Sequence, residues 1–410
     1  GMSSHAIAAL TLSAALGGAA AAVVGPAHTA RVGAHAPARS RAPRTALAMK
    51  LETNLLEYSF GLQDPELPVP GSPPPDVPPA PFDGITDEHR AALVRDGVVH
   101  IPGLLNDEWL EYLRSATSWQ IENPHMWASP GVASGLYDYI QRNVWSTNSA
   151  FANFYYHSSL ASALASLAGT DELRLSTDLL MVNPNKGFKW HQDNQNGPVA
   201  HQHGLRFWVT LDDTPVDHGA PVYLKGSHEN DSVGDEVVFV DPSSGDLPRY
   251  SELLEFRPKA GDLIAWHPRS IHKIDGPPTQ DWGKRLRRVL GGTVVVGDAP
   301  YRGEGRALFS DLGKHNFKDG DKLEGLYFPR IYPCSIEEER VARARGECTR
   351  TVEGVMRLMG NMWSSMSQMS SFGNVVNVNA AAKAQAKVED SEPAQAADAR
   401  QAKAQSASAS

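Results

Sequence analysis

The pattern of apolar and polar positions changes twice along this chain. From residue 84 to about 170, apolar positions recur at helical spacing. Thr86 stands before Asp87 and Glu88, and Gly97 closes the run, which predicts a helix capped at Thr86 and ended at Gly97. Val98-Val99-His100-Ile101-Pro102 reads as a short strand. Asn106 then caps a second helix with Trp109, Leu110 and Leu113 on one side. A third helix is predicted over 158–168, ended by Gly169. From 172 onward short strands replace helices, at 173–182, 206–212, 221–225, 236–240, 262–266 and 288–296. Gly, Pro and Asp separate them, which favours a sandwich or barrel over a parallel sheet with crossover helices. Helix returns over 336–365. The expected class is α+β: N-terminal helices packed on a β-barrel, followed by a C-terminal helix.

The two ends carry a different composition. Residues 7–27 are an apolar stretch of mostly Ala and Gly, a weak membrane-span candidate. Arg31, Arg39, Arg41, Arg44 and Lys50 follow, and no acidic residue precedes Glu52. Residues 1–50 therefore read as a targeting presequence, not as structure. Its order resembles the two-part presequences of algal plastids with extra membranes; a mitochondrial address is the nearest competitor. Residues 51–83 form a linker with nine prolines between Pro65 and Pro81, and proline cannot continue helix or sheet ladders. Residues 366–410 are rich in Ala, Ser, Gln, Lys and Asp, with few apolar anchors, and are expected to be disordered. The folded domain is then 84–365.

Charge and cysteine content narrow the function. The net charge of −9 argues against a general nucleic-acid binder. Two cysteines, Cys334 and Cys348, are too few for a disulfide framework and read as free thiols. No stable membrane span is expected in the mature protein.

Candidate chemistry begins at Lys189-Trp190-His191-Gln192-Asp193-Asn194. On a strand, residues i and i+2 share a side, so His191 and Asp193 can face one metal. A histidine from a distant strand would complete a two-histidine, one-carboxylate face that leaves coordination positions open. His272 is such a residue, at the end of Gly261-Asp262-Leu263-Ile264-Ala265-Trp266-His267-Pro268-Arg269-Ser270-Ile271-His272; His267 is its rival. His201 and His203 follow the first motif and read as loop or pocket residues. Spacing alone does not choose the metal: zinc, nickel or copper suits the same donors. Arg285, Arg287 and Arg288 come next, and an inward arginine on a strand is costly to bury unless an anion pairs with it. A guanidinium fork suits the distal carboxylate of a dicarboxylate.

These segments together resemble the phytanoyl-CoA dioxygenase family of Fe(II)/2-oxoglutarate oxygenases. The resemblance runs from Ile85-Thr86-Asp87 and Asp96-Gly97-Val98 through Leu160–Gly169, Trp190–Asp193, Phe207–Asp213, His218-Gly219-Ala220-Pro221 and Lys225–His228 to His267-Pro268 and His272. It implies a double-stranded β-helix (jelly-roll, cupin-like) core, iron ligation by His191, Asp193 and His272, and anchoring of 2-oxoglutarate by Arg287, with Arg285 and Arg288 as alternatives. Gln192 and Trp208 stand where family members contact the co-substrate. Asp193 retains the carboxylate that related halogenases replace by Gly or Ala, which favours oxygen insertion. The implied cofactors are Fe(II) and 2-oxoglutarate, with O2 as co-substrate and ascorbate as a stimulant.

The implied reaction is hydroxylation of a small or amphipathic organic molecule, with release of succinate and CO2. Desaturation, cyclisation or epoxidation needs the same cofactors. A non-catalytic barrel serving as a binding module is the competing class, and the intact His-Asp-His set argues against it. Trp127, Tyr137, Tyr139, Arg142, Trp145, Phe154 and Tyr155 precede the barrel and are candidates for an aromatic pocket with a cation, or for helix packing.

Overall fold

The computed structural model describes residues 80–125, 128, 137–185, 187–193, 199–235, 237–275, 286–302, 317–325 and 328–335. The presequence, most of the linker, the helix expected at 336–365, the tail, Trp127, Arg285 and Cys348 lie outside the described residues.

Helix α1 spans Asp87–Asp96. Its cap is reciprocal: the Thr86 hydroxyl accepts from the His89 backbone N–H at 3.3 Å, and the His89 ring accepts from the Thr86 N–H at 3.2 Å. Gly97 stops it at φ 77°, a left-handed conformation that glycine adopts without penalty. Strand β1 (Val98–Ile101) follows, then helix α2 (Asp107–Glu122), capped by Asn106 at 3.0 Å from the Trp109 N–H. Strand β2 (Tyr137–Arg142) was not expected from sequence. Nor was helix α3 (Ser149–His157), whose start is capped by Asn148 at 2.9 Å from the Ala150 N–H. Extended backbone at Ser158 separates it from α4 (Leu160–Ala168), the helix predicted over 158–168.

The strands build two antiparallel sheets. The larger contains β3 (Leu173–Pro184), β5 (Gly204–Thr210), β8 (Leu263–Trp266), β10 (Arg288–Val296) and β11 (Arg330–Tyr332), in the order β1-β8-β5-β10-β3-β11, with β2 also paired to β3. The smaller is β4-β9-β6-β7, formed by Phe188–His191, His272–Ile274, Pro221–Leu224 and Leu253–Glu255. This is the double-stranded β-helix of an α+β chain. The strand expected at 236–240 is reduced, among described residues, to a single bridge between His191 and Phe239.

Alternation along β5 assigns each face its task. Leu205, Phe207 and Val209 join the helix-side core, while Trp208 packs between the sheets with Tyr223, Ile264, Trp266 and Val289. Aromatic contacts carry the helix layer onto the sheet: Trp109 to Phe154 at 6.3 Å, Phe154 to Tyr155 at 5.0 Å, and Tyr155 to Phe207 at 6.1 Å between centroids. A Cβ at Gly292 would meet the Thr177 carbonyl oxygen at 2.3 Å and the Phe207 ring at 2.7 Å, so this close approach requires glycine. Among the described residues, no helix is long and apolar enough to cross a membrane.

Candidate active site

His191 ends β4, and His272 begins β9. The two are register partners across that antiparallel pair, and their ring centroids lie 4.1 Å apart. Asp193 falls just past the end of β4, not on it as the strand argument assumed. Its orientation comes from a backbone hydrogen bond, Asp193 N to the Pro268 carbonyl at 2.9 Å. One donor atom from each of the three residues lies within 4.8 Å of the others.

The outer contacts select the right tautomers. His191 Nδ1 lies 2.7 Å from the Lys189 carbonyl, and His272 Nδ1 lies 3.0 Å from the Ser270 carbonyl. A carbonyl only accepts, so each Nδ1 carries the proton and each Nε2 keeps its lone pair. His272 Nε2 lies 3.4 Å from Asp193 Oδ2. Tyr223 stacks on the His272 ring at 5.2 Å and fixes its plane. Burial, then the neighbouring His191, pushes the His272 imidazolium down to about 3, so the ring is neutral near pH 7. Burial alone would raise the Asp193 carboxyl. The Arg206 guanidinium, with His272 and His191, outweighs burial and holds it well below the usual carboxylate range. Two imidazole nitrogens and one carboxylate, with their donor atoms converging, fit a divalent metal such as iron.

Of the three candidate arginines, Arg285 is outside the described residues, and the other two have different surroundings. Arg288 is committed to Asp212, through Nε at 2.9 Å and Nη2 at 2.6 Å. Arg287 points the other way, between the sheets, and is only 2% exposed. Its Nη2 donates to the Gly219 carbonyl at 2.8 Å, and its guanidinium lies 5.5 Å from the Trp208 ring centroid. Its Nε and Nη1 are buried without a hydrogen-bond partner. Burial lowers its pKa to about 10, with Tyr137 beside it opposing the shift, so the cation persists at neutral pH. A buried cation with Tyr137 beside it and no carboxylate partner among the hydrogen bonds of its guanidinium fits an incoming carboxylate.

Trp208 lies beside the Arg287 guanidinium. Gln192 does not behave as expected of a co-substrate contact. Its amide nitrogen donates to the carbonyls of Gly234 (2.8 Å) and Val237 (2.7 Å), so both N–H groups brace that loop. Successive side chains on an extended segment face opposite ways, so Gln192 points away from His191 and Asp193. His267 and His201 stay out of the triad. Their rings contact each other at 5.4 Å, His201 Nδ1 lies 3.6 Å from Asp235, and His267 Nδ1 accepts from the Arg269 N–H. His203 sits in a short turn of helix ahead of β5.

The aromatic residues before the barrel divide. Tyr137 reaches the site beside Arg287. Tyr139 bonds Gln141 at 2.6 Å, and Trp145, Phe154 and Tyr155 belong to the helix-side core, so these four are packing residues. Arg142 is buried on β2, where its charge is felt by Arg206, Asp193 and Asp178. Arg206 was missed. Its signal was an arginine within the apolar run Gly204–Thr210, the same cue that singled out Arg287.

With this geometry in place, comparisons with known proteins are informative. Residues 93–275 match the phytanoyl-CoA dioxygenase (PhyH) family, a span that includes all three converging residues and stops short of Arg287. Over that span the domain resembles the phytanoyl-CoA dioxygenase family. No curated protein matches the chain in sequence. Among solved structures, the chain is similar to the epimerase SnoN in complex with Fe3+, alpha ketoglutarate and nogalamycin RO. That likeness has 23% identity and a TM-score of 0.51, covering 60% of this chain and 98% of that one, and it supports the fold. EctD from S. alaskensis with 2-oxoglutarate and 5-hydroxyectoine is also similar, at 16% identity and a TM-score of 0.46, over 61% of this chain and 92% of that one.

Proposed function

We propose that His191, Asp193 and His272 hold Fe(II), that Arg287 anchors 2-oxoglutarate, and that the enzyme hydroxylates a small or amphipathic organic metabolite. The observation that carries the reading is the pairing of converging donors within 4.8 Å with a buried arginine whose Nε and Nη1 have no partner. Bound Fe(II) with 2-oxoglutarate supplies O2 activation at a substrate C–H bond, with succinate and CO2 as co-products. The chain's own residues do the positioning. The Lys189 and Ser270 carbonyls keep both Nε2 lone pairs on the metal side. Arg287, with Trp208 beneath its guanidinium, receives the distal carboxylate. The buried walls from Tyr223, Trp266 and Val289 keep water from the reacting face. Asp193 supports oxygen insertion over halogenation. The acid-free N-terminal segment supports delivery to a plastid.

The test is anaerobic titration of the purified protein with Fe(II) and 2-oxoglutarate. A weak visible charge-transfer band is expected, absent in His191→Ala and weakened in Arg287→Ala. Folded wild-type protein that gives no band would sink the proposal. A succinate-release screen with candidate metabolites then finds the substrate; product mass separates oxygen gain from the hydrogen loss of desaturation or cyclisation, and product NMR separates an alcohol from an epoxide. A chain that binds candidates but never turns over would favour the binding-module reading.

A further inference from the structure

We propose that Arg206 sets the metal affinity of the His191–Asp193–His272 centre by competing for the carboxylate oxygen that faces the histidines. This rests on reading those three residues as metal ligands. Arg206 lies in the middle of β5, in register with Trp266 on β8 and Thr293 on β10, and is 6% exposed. Its Nε donates to Asp193 Oδ2 at 3.2 Å. Its Nη1 donates to the Thr293 hydroxyl, and its guanidinium carbon lies 5.6 Å from the Trp266 ring centroid. Two neighbouring strands therefore pin the group in one place. The same Oδ2 lies 3.4 Å from His272 Nε2, the nitrogen left free by the Ser270 carbonyl. A cation entering between the imidazoles meets an oxygen that already accepts from a guanidinium.

Two effects oppose each other. Outer-shell partners orient ligands, and losing one typically weakens metal binding by about 10- to 100-fold. The partner of a histidine ligand accepts a hydrogen bond from it and raises its basicity. Arg206 does the reverse: it donates to the carboxylate, reduces its donor strength and places a full positive charge beside the incoming cation. Orientation is also supplied without Arg206, by the backbone bonds of Asp193 N to the Pro268 carbonyl (2.9 Å) and Gln192 N to the Val238 carbonyl (3.0 Å). Repulsion between a buried guanidinium and a divalent ion that would share one carboxylate remains substantial even at an effective dielectric of about 20. Burial limits salt screening. Charge outweighs orientation here, so Arg206 holds the affinity of the centre down. A dianionic co-substrate then offsets the excess positive charge of metal, Arg206 and Arg287, so metal and dianion bind with positive coupling that Arg206 enlarges.

The experiment titrates the full-length apoprotein with redox-inert Mn(II), with and without 2-oxoglutarate, and reads the dissociation constant by calorimetry. Arg206→Met should tighten Mn(II) binding without 2-oxoglutarate by about tenfold or more and shrink the coupling factor; Arg206→Lys should stay within about threefold of wild type. Unchanged or weaker binding by folded Arg206→Met overturns the inference. If Arg206→Met does not fold, Thr293→Val decides: it frees one arm of the guanidinium and should tighten binding by about threefold, and no change or a loss overturns the inference. Equal Mn(II) binding by wild type and His191→Ala is a different result, because it overturns the ligand assignment itself and Arg206's role with it.

Discussion

His191 and His272 are register partners across β4 and β9, with their ring centroids 4.1 Å apart, although a long stretch of chain separates them. Antiparallel pairing puts partner side chains on the same face, so the minor sheet itself brings the two imidazoles together. Asp193 joins them through a backbone bond to Pro268, on the loop that leads into β9.

Because the three donors converge only in the folded state, metal should stabilise the wild-type protein by mass action, by about 2.7 kcal/mol at a hundredfold excess over the dissociation constant. His272→Ala should lose that gain. Thermal melting with and without Mn(II) checks it: an equal upward shift in wild type and His272→Ala would remove His272 from the ligand set.

Adjacent arginines should respond differently to removal. Arg287→Met should raise the apparent dissociation constant for 2-oxoglutarate by about 100-fold with little loss of stability, since it removes charge-assisted hydrogen bonds to the ligand but strands no carboxylate. Arg288→Ala should do the opposite. It leaves the largely buried Asp212 without its fork, at a cost of about 2–4 kcal/mol, while binding is unchanged. Urea denaturation and equilibrium binding on both variants decide the assignment.

Gln192→Leu should destabilise the protein by about 1–3 kcal/mol, because two loop carbonyls, of Gly234 and Val237, lose their donor. The Michaelis constant for 2-oxoglutarate should change by less than about threefold. A large rise in that constant with unaltered stability would restore the co-substrate role suggested by its place in the motif.

Acid should weaken the apoprotein in a defined window. His272 and His267 are both pushed down to about 3, chiefly by burial, so the folded state stays neutral where the unfolded chain binds protons. Unfolded histidine titrates near 6.5, so stability is full above that pH and falls as pH drops from 6.5 toward 3. Each group adds a slope of about 1.4 kcal/mol per pH unit in that window. His272→Gln should remove one such slope, seen in denaturation midpoints at pH 7, 6 and 5. An unaltered slope would mean that His272 is protonated in the folded state.

Much of the architecture could be read from periodicity and caps. Thr86, Gly97 and Asn106 marked α1 and α2, and the run from 288 to 296 marked β10 to the residue. Strand β2 and helix α3 were not visible in the same way. Tyr137, Tyr139, Phe154 and Tyr155 look like pocket aromatics in sequence, and their pairing or packing partners come from far along the chain.

The sequence by itself determined the chemistry available: a His-x-Asp pair, a later histidine, three clustered arginines and segments similar to one oxygenase family. Those are properties of residue type and order. Only the tertiary structure decided which groups meet. It places His272, and not His267, beside His191 because β9 is in register with β4. It sends the Arg287 guanidinium between the sheets and the Arg288 guanidinium to Asp212, because strand alternation turns the two side chains opposite ways. It also brought Arg206 onto Asp193, a contact set by the β5–β8–β10 register and therefore invisible to any local pattern.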